Sequence, residues 1–207
     1  MDRDMLFSNK IKQLRLRAEQ ICEDFAEFTD GFRVLMLLQR TKDGGANDEE
    51  KRLFDSYTTT NSEEFKEKLF NLLLQKVVAK VPCRIYLSAN PRNPLKVIRY
   101  IEESLISAHY ADDTCRDSIY KKLLKKPRHF LMQQTCKDSS LFLIDVDDEP
   151  ERDVLGLALQ KVGELGIVER KRYRTKNGWH IVVEPFNLAL WDTVGEVKKD
   201  PIILLDY

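Results

Sequence analysis

"LFLIDVDDEP", residues 141–150, runs four apolar side chains straight into acid. Side chains alternate along an extended strand, so Asp145 and Asp147 share one face and Asp148 takes the other. Phe142, Ile144 and Val146 fill the face opposite the pair, where helices would pack. Two like charges about 4–6 Å apart repel by roughly 1 kcal/mol in water and by several at an effective dielectric near 20. A strand that serves packing alone has no use for that repulsion. A divalent cation relieves it, because Mg²⁺ takes oxygen ligands and is commonly held by one or two carboxylates together with substrate phosphates.

Working outward, the last third of the chain is the most regular. "SLFLIDVDD" is a strand, and "ERDVLGLALQKVGELG" a helix with Leu155, Leu159 and Val162 on one face and Gly166 past its end. "IVERKRYRTKNGWHIVVEPF" is a hairpin around Asn177-Gly178. "NLALWDTVGEVKKD" reads as a short helix or structured loop, and "PIILLDY" as the closing strand. The order β-α-β-β-α-β is that of the split βαβ, or ferredoxin-like, fold. There strands one and four sit beside strands distant in sequence, so Asp206 of "ILLDY" could reach an ion held by Asp145 and Asp147. Three carboxylates around two metals form the usual clamp for in-line attack on phosphorus.

Upstream, Ile11, Leu14, Ala18, Ile21, Cys22 and Phe25 recur at helical spacing across residues 5–28. "FRVLMLLQR" at 32–40 is a buried strand, 41–50 a polar loop, 62–79 a helix capped by Asn61 or Ser62, and "CRIYLSA" at 83–89 a second strand. Residues 32–89 therefore read as one βαβ-like unit. Helices follow at about 94–109 and again up to a break near Pro127.

The bulk numbers bound the function. Lys+Arg and Asp+Glu balance at 34 each in 207 residues, so no global field draws the protein to nucleic acid or an anionic membrane. No segment reaches the roughly 18 apolar residues of a membrane span, and the charged N-terminus has no secretory h-region. Cys22, Cys83, Cys115 and Cys136 are scattered without a CxxC pair, which suits a reducing cytoplasm. A zinc site from His109, Cys115, His129 and Cys136 matches no familiar spacing, and the ordinary-thiol reading is taken. No Walker loop is present, and one histidine in "HIV" does not make the HxH of a rolling-circle nickase.

Local clusters supply the basic surface. Arg170, Arg172, Arg174 and Lys176 alternate along the hairpin's first strand, and Lys121, Lys122, Lys125, Lys126 and Arg128 fall on a helix. Together they suit a phosphate-backbone track. His180 follows the turn directly. If Asn177-Gly178 is a strict two-residue loop, Thr175 faces His180 and the arginines lie on the other side. A loop one residue longer reverses this.

"FLIDVD" (142–147), "GWH" (178–180) and "LLD" (204–206) resemble, in order and spacing, the hhhDhD, sxH and hD motifs of the archaeo-eukaryotic primase superfamily, the primase-polymerases. The resemblance runs from about residue 30 to the end. The "TKNG-aromatic-H…PFN" segment is similar to that of proteins from bacteriophages and gut bacteria, which implies a small phage-type or prophage-type member in a host cytoplasm. The implied fold is α/β (α+β), an N-terminal αβ unit packed on an RRM-like palm. The expected parts are a helix at 1–31, the αβ module at 32–139 and the palm at 140–207, in one integrated catalytic domain.

By this resemblance Asp145, Asp147 and Asp206 bind Mg²⁺ or Mn²⁺, His180 contacts the phosphates of an incoming NTP or dNTP, and Arg174 and Lys176 assist it. Lys121, Lys122, Lys125, Arg128, Arg170 and Arg172 follow the single-stranded DNA template. The implied activity is a DNA-directed nucleotidyltransferase that makes or extends short RNA or DNA in replication or repair. The family's zinc knuckle and helicase region are not recognisable, so an accessory primase subunit or a replicative helicase is the expected partner. Two other readings use the same residues. One is a non-catalytic RRM-like nucleic-acid-binding protein, against which the strand residues Leu141, Leu143, Asp145 and Asp147 offer no aromatic for base stacking. The other is a metal-dependent nuclease.

Overall fold

Near-continuous apolar runs such as "RVLMLL" demand cover on both faces, and the fold of the protein, a computed structural model, provides it. The structure describes residues 3–39, 52–79, 82–125, 128–192 and 194–206. The loop expected at 41–50 and Lys126 lie outside them. The chain is mixed α and β, with two antiparallel sheets. It divides into two units, Met1–Asp138 with Ile203–Tyr207, and Ser139–Ile202. The first helix and the last residues both belong to the first unit. No helix among the described residues is long and apolar enough to cross a membrane.

The first unit opens with α1 (Arg3–Asp24), whose Ala18 and Ile21 are buried. Next come β1 (Arg33–Gln39), β2 (Arg52–Thr59), α2 (Ser62–Val78) and β3 (Arg84–Ser88). Helix α2 starts where Asn61 accepts from the Glu64 backbone N–H, and it buries Phe65, Leu69, Leu72 and Leu73 at helical spacing. Then α3 (Pro94–His109), α4 (Asp113–Lys125) and α5 (Arg128–Leu131) close a small core of Val97, Phe130 and Cys136.

The βαβ-like unit at 32–89 needs correction. Strand β2 pairs antiparallel with β1, Arg33 opposite Thr59, and β3 pairs antiparallel with the other side of β1. The crossover therefore runs from β2 through α2 to β3, with β1 between. "RLFDSYTT" carries little strand signal in the sequence because its residues are mostly polar.

The second unit consists of β4 (Phe142–Asp147), α6 (Val154–Glu164), β5 (Glu169–Arg174), β6 (Gly178–Val183) and the short β7 (Glu196–Lys198). Its strand order is β5-β6-β4-β7, with every neighbour antiparallel. Phe142, Ile144, Val146, Ile181 and Val183 pack with Val154, Ala158 and Val162 of α6. Phe186, Leu188 and Trp191, in and around a single 3₁₀ turn, pack at the edge of this cluster.

The closing strand is the second correction. β8 (Ile202–Asp206) lies in the first sheet, whose order is β2-β1-β3-β8. The fourth place in the second sheet goes to β7, in the segment read as a helix or loop. Gly195 makes that possible. Its φ is +94°, and a Cβ there would meet Ile144 and Val146 Cγ2 at 3.0 and 3.1 Å, so the chain reaches β4 only without a side chain at this point.

Candidate functional site

Strand alternation and register put a polar set on the face of the second sheet away from α6. Asp145 stands opposite His180 on one side and Glu196 on the other, and His180 stands opposite Tyr173. Lys198 lies opposite Leu143, one diagonal step from Asp145. Leu143 and Val182 on this face are buried, Asp145 and His180 are partly exposed, and Asp147 is exposed.

A hydrogen-bonded chain joins four of these side chains. Tyr173 Oη lies 2.8 Å from His180 Nδ1, and His180 Nε2 lies 3.1 Å from Asp145 Oδ1. Lys198 Nζ donates to Asp145 Oδ2 and lies 3.5 Å from Glu196 Oε2. The Tyr173 and His180 rings meet edge-on, their centroids 5.2 Å apart. Burial pushes the Asp145 carboxyl upward, but the hydrogen bonds and charges of His180 and Lys198 outweigh it and hold the group well below the usual carboxylate range. Asp147 has no ion-pair partner among the described residues.

Asp145 is compensated by a lysine and a histidine from neighbouring strands, and only Asp147 is left to water. For a divalent cation the donor chemistry fits, since two carboxylates share one strand face and Asp147 is open. Among the described residues, no three His, Cys, Asp or Glu side chains stand together as a metal-holding group.

The remaining expected residues lie on other elements. Asp206 sits in the first sheet, where Arg17 Nη2 reaches its Oδ1 at 2.9 Å and Lys76 Nζ its Oδ2 at 2.6 Å. The hairpin turns on Lys176-Asn177, closed by Thr175 N–H donating to Gly178 O at 2.8 Å, and Tyr173 rather than Thr175 stands opposite His180. This register differs by two residues from the Asn177-Gly178 loop, so the parity holds and Arg172 and Arg174 lie on the α6 side of the sheet. Arg174 makes a paired contact with Asp148, at 2.8 and 2.6 Å, and stacks over Trp179. Arg170 pairs with Glu184 and Arg172 with Glu169. Lys121 is exposed on α4, which also carries Lys122 and Lys125, and Arg128 begins α5.

Three site residues escaped the sequence reading: Tyr173, Glu196 and Lys198. The available signal was the alternation of Glu196 and Lys198 directly after a glycine in "GEVKK". Compared with protein-family models, curated proteins and solved structures, the chain matches none.

Proposed function

We propose that the second unit is an RRM-like palm and that its polar face carries a metal-dependent nucleotidyl transfer of the primase-polymerase type. The observation that carries this reading is the placement of Asp145 and Asp147 on one face of the central strand β4, with His180 Nε2 3.1 Å from Asp145 Oδ1. The strand order supports the palm. With β4, β5, β6 and β7 counted as first to fourth, the order second-third-first-fourth is that of the split βαβ, and the 3₁₀ turn Leu188–Leu190 comes in the chain where the second helix would be.

In this reading Asp145 and Asp147 hold Mg²⁺ or Mn²⁺, which supplies charge neutralisation at the transferring phosphate. A 3′-hydroxyl oxygen forms a bond to the α-phosphorus, the bond from that phosphorus to the bridging oxygen breaks, and pyrophosphate leaves while the hydroxyl proton passes to solvent. His180 shares its Nε2 hydrogen between Asp145 Oδ1 and a phosphate oxygen, and Tyr173 holds its ring in place at Nδ1. Glu196, opposite Asp145, takes the acidic position on the fourth strand. Asp206 is left to its pairs with Arg17 and Lys76.

Single-stranded DNA, labelled NTPs or dNTPs and Mn²⁺, with the Asp145→Ala/Asp147→Ala protein alongside, provide the test. Extended products from the wild type alone support the reading. Template shortened by the wild type alone favours the nuclease, and no product with retained DNA binding favours the binding module.

A further inference from the structure

Lys198 bonds the same carboxylate that a divalent cation would need. We propose that it is an internal stand-in cation, which holds Asp145 until the divalent ion binds and then turns its ammonium to the polyphosphate of the substrate. The inference rests on the reading that Asp145 and Asp147 hold that ion.

Both Asp145 oxygens are engaged, Oδ1 by His180 and Oδ2 by Lys198, whereas Asp147 is open. An ion that enters at Asp147 and recruits Asp145 meets a carboxylate already held by two nitrogen donors, one of them an ammonium. The two donors are not equally held. The His180 side chain is 14% exposed and fixed from behind by Tyr173 Oη at 2.8 Å. Lys198 is 41% exposed, on a four-carbon stem whose head lies between Asp145 and the 74% exposed Glu196. An ammonium and a divalent cation repel each other at one oxygen, and the lysine is the group free to move.

Its release has a destination. The stem of Lys198 starts beside Leu143 and runs along the strand to Asp145, so a small swing keeps the ammonium on the same face. A polyphosphate held by a cation on that face would offer the ammonium anionic oxygens. Lysine suits the task, being a compact point charge that contacts phosphate without fixed geometry. The resting contact therefore holds the Asp145 carboxylate in place before substrate arrives, and the loaded site gains a phosphate ligand.

The test measures Mn²⁺ affinity by electron paramagnetic resonance on the full chain, and binding of a methylene-bridged, non-hydrolysable nucleoside triphosphate at saturating Mn²⁺. Wild type is compared with Lys198→Met, Lys198→Gln and Lys198→Arg. Removing one unit charge from a partly exposed site is expected to tighten Mn²⁺ by about tenfold in the Met and Gln variants and to weaken the nucleotide analogue by about tenfold. The Arg variant is expected to restore the analogue. If Mn²⁺ binds no tighter without the ammonium, Lys198 is a structural counter-ion and the proposal falls, while the metal reading stands as long as wild type binds Mn²⁺ and Asp147→Asn does not. If no variant and no wild type binds Mn²⁺, both fall.

Discussion

Asp145 accepts from two nitrogen donors, and that fixes how its ionisation couples to folding. Its folded pKa is depressed below the unfolded value of about 3.9. The stability it contributes is therefore fully present above pH 4 and is lost as the pH falls through the folded value. Urea unfolding of wild type and Asp145→Asn is expected to differ most at neutral pH, with the gap closing below pH 4. At this scale the sequence was partly legible. Alternation alone put Asp145 with Asp147 and set Asp148 apart, and Asp148 does point away, to Arg174. Lys198 and Glu196 were not legible, because cross-strand partners depend on which strand comes alongside. That choice was made by Gly195, which admits β7 against β4. Paired carboxylates on a strand also have a solution other than a metal, a lysine from the neighbouring strand.

At the scale of elements, the hairpin shows what a glycine decides. Asn177-Gly178 reads as a turn, yet Gly178 is the first residue of β6 and pairs with Asp147. A Cβ there would come 2.0 Å from the Val146 carbonyl oxygen, backbone against backbone. Gly178→Ala is expected to push β6 from β4 and cost about 3 kcal/mol or more, read from the denaturant midpoint, with His180 drawn away from Asp145. The strongly periodic pieces were legible. α2 begins at its Asn61 cap, α3 begins at Pro94, and α6 has Asp153 capping Gly156 N–H. β2 and β7 were not, being a mostly polar strand and a three-residue one, too weak in period to register.

At the scale of the molecule, the last strand was the misjudged piece. "IILLD" carries no mark of which sheet it joins, since an apolar strand satisfies either. In the first unit it brings Asp206 between Arg17 of α1 and Lys76 of α2, with its side chain 14% exposed. Asp206→Asn would leave two cations facing each other, and a loss of about 2–3 kcal/mol is expected in thermal or urea unfolding. The same variant is expected to bind Mn²⁺ as wild type does. This return of the chain puts Ile203–Tyr207 in the first unit, where a linear reading of motifs places the last strand with β4.

The central claim is that Asp145 and Asp147 on β4 carry the chemistry. The most direct measurement is the rate of labelled-nucleotide incorporation on primed single-stranded DNA with Mn²⁺, for wild type, Asp147→Asn and Asp206→Asn at equal folded concentration. The account predicts a loss of about 100-fold or more for Asp147→Asn, whose only change is an exposed carboxylate, and a rate within about threefold of wild type for Asp206→Asn. Incorporation by Asp147→Asn at the wild-type rate, or none by wild type, would contradict it.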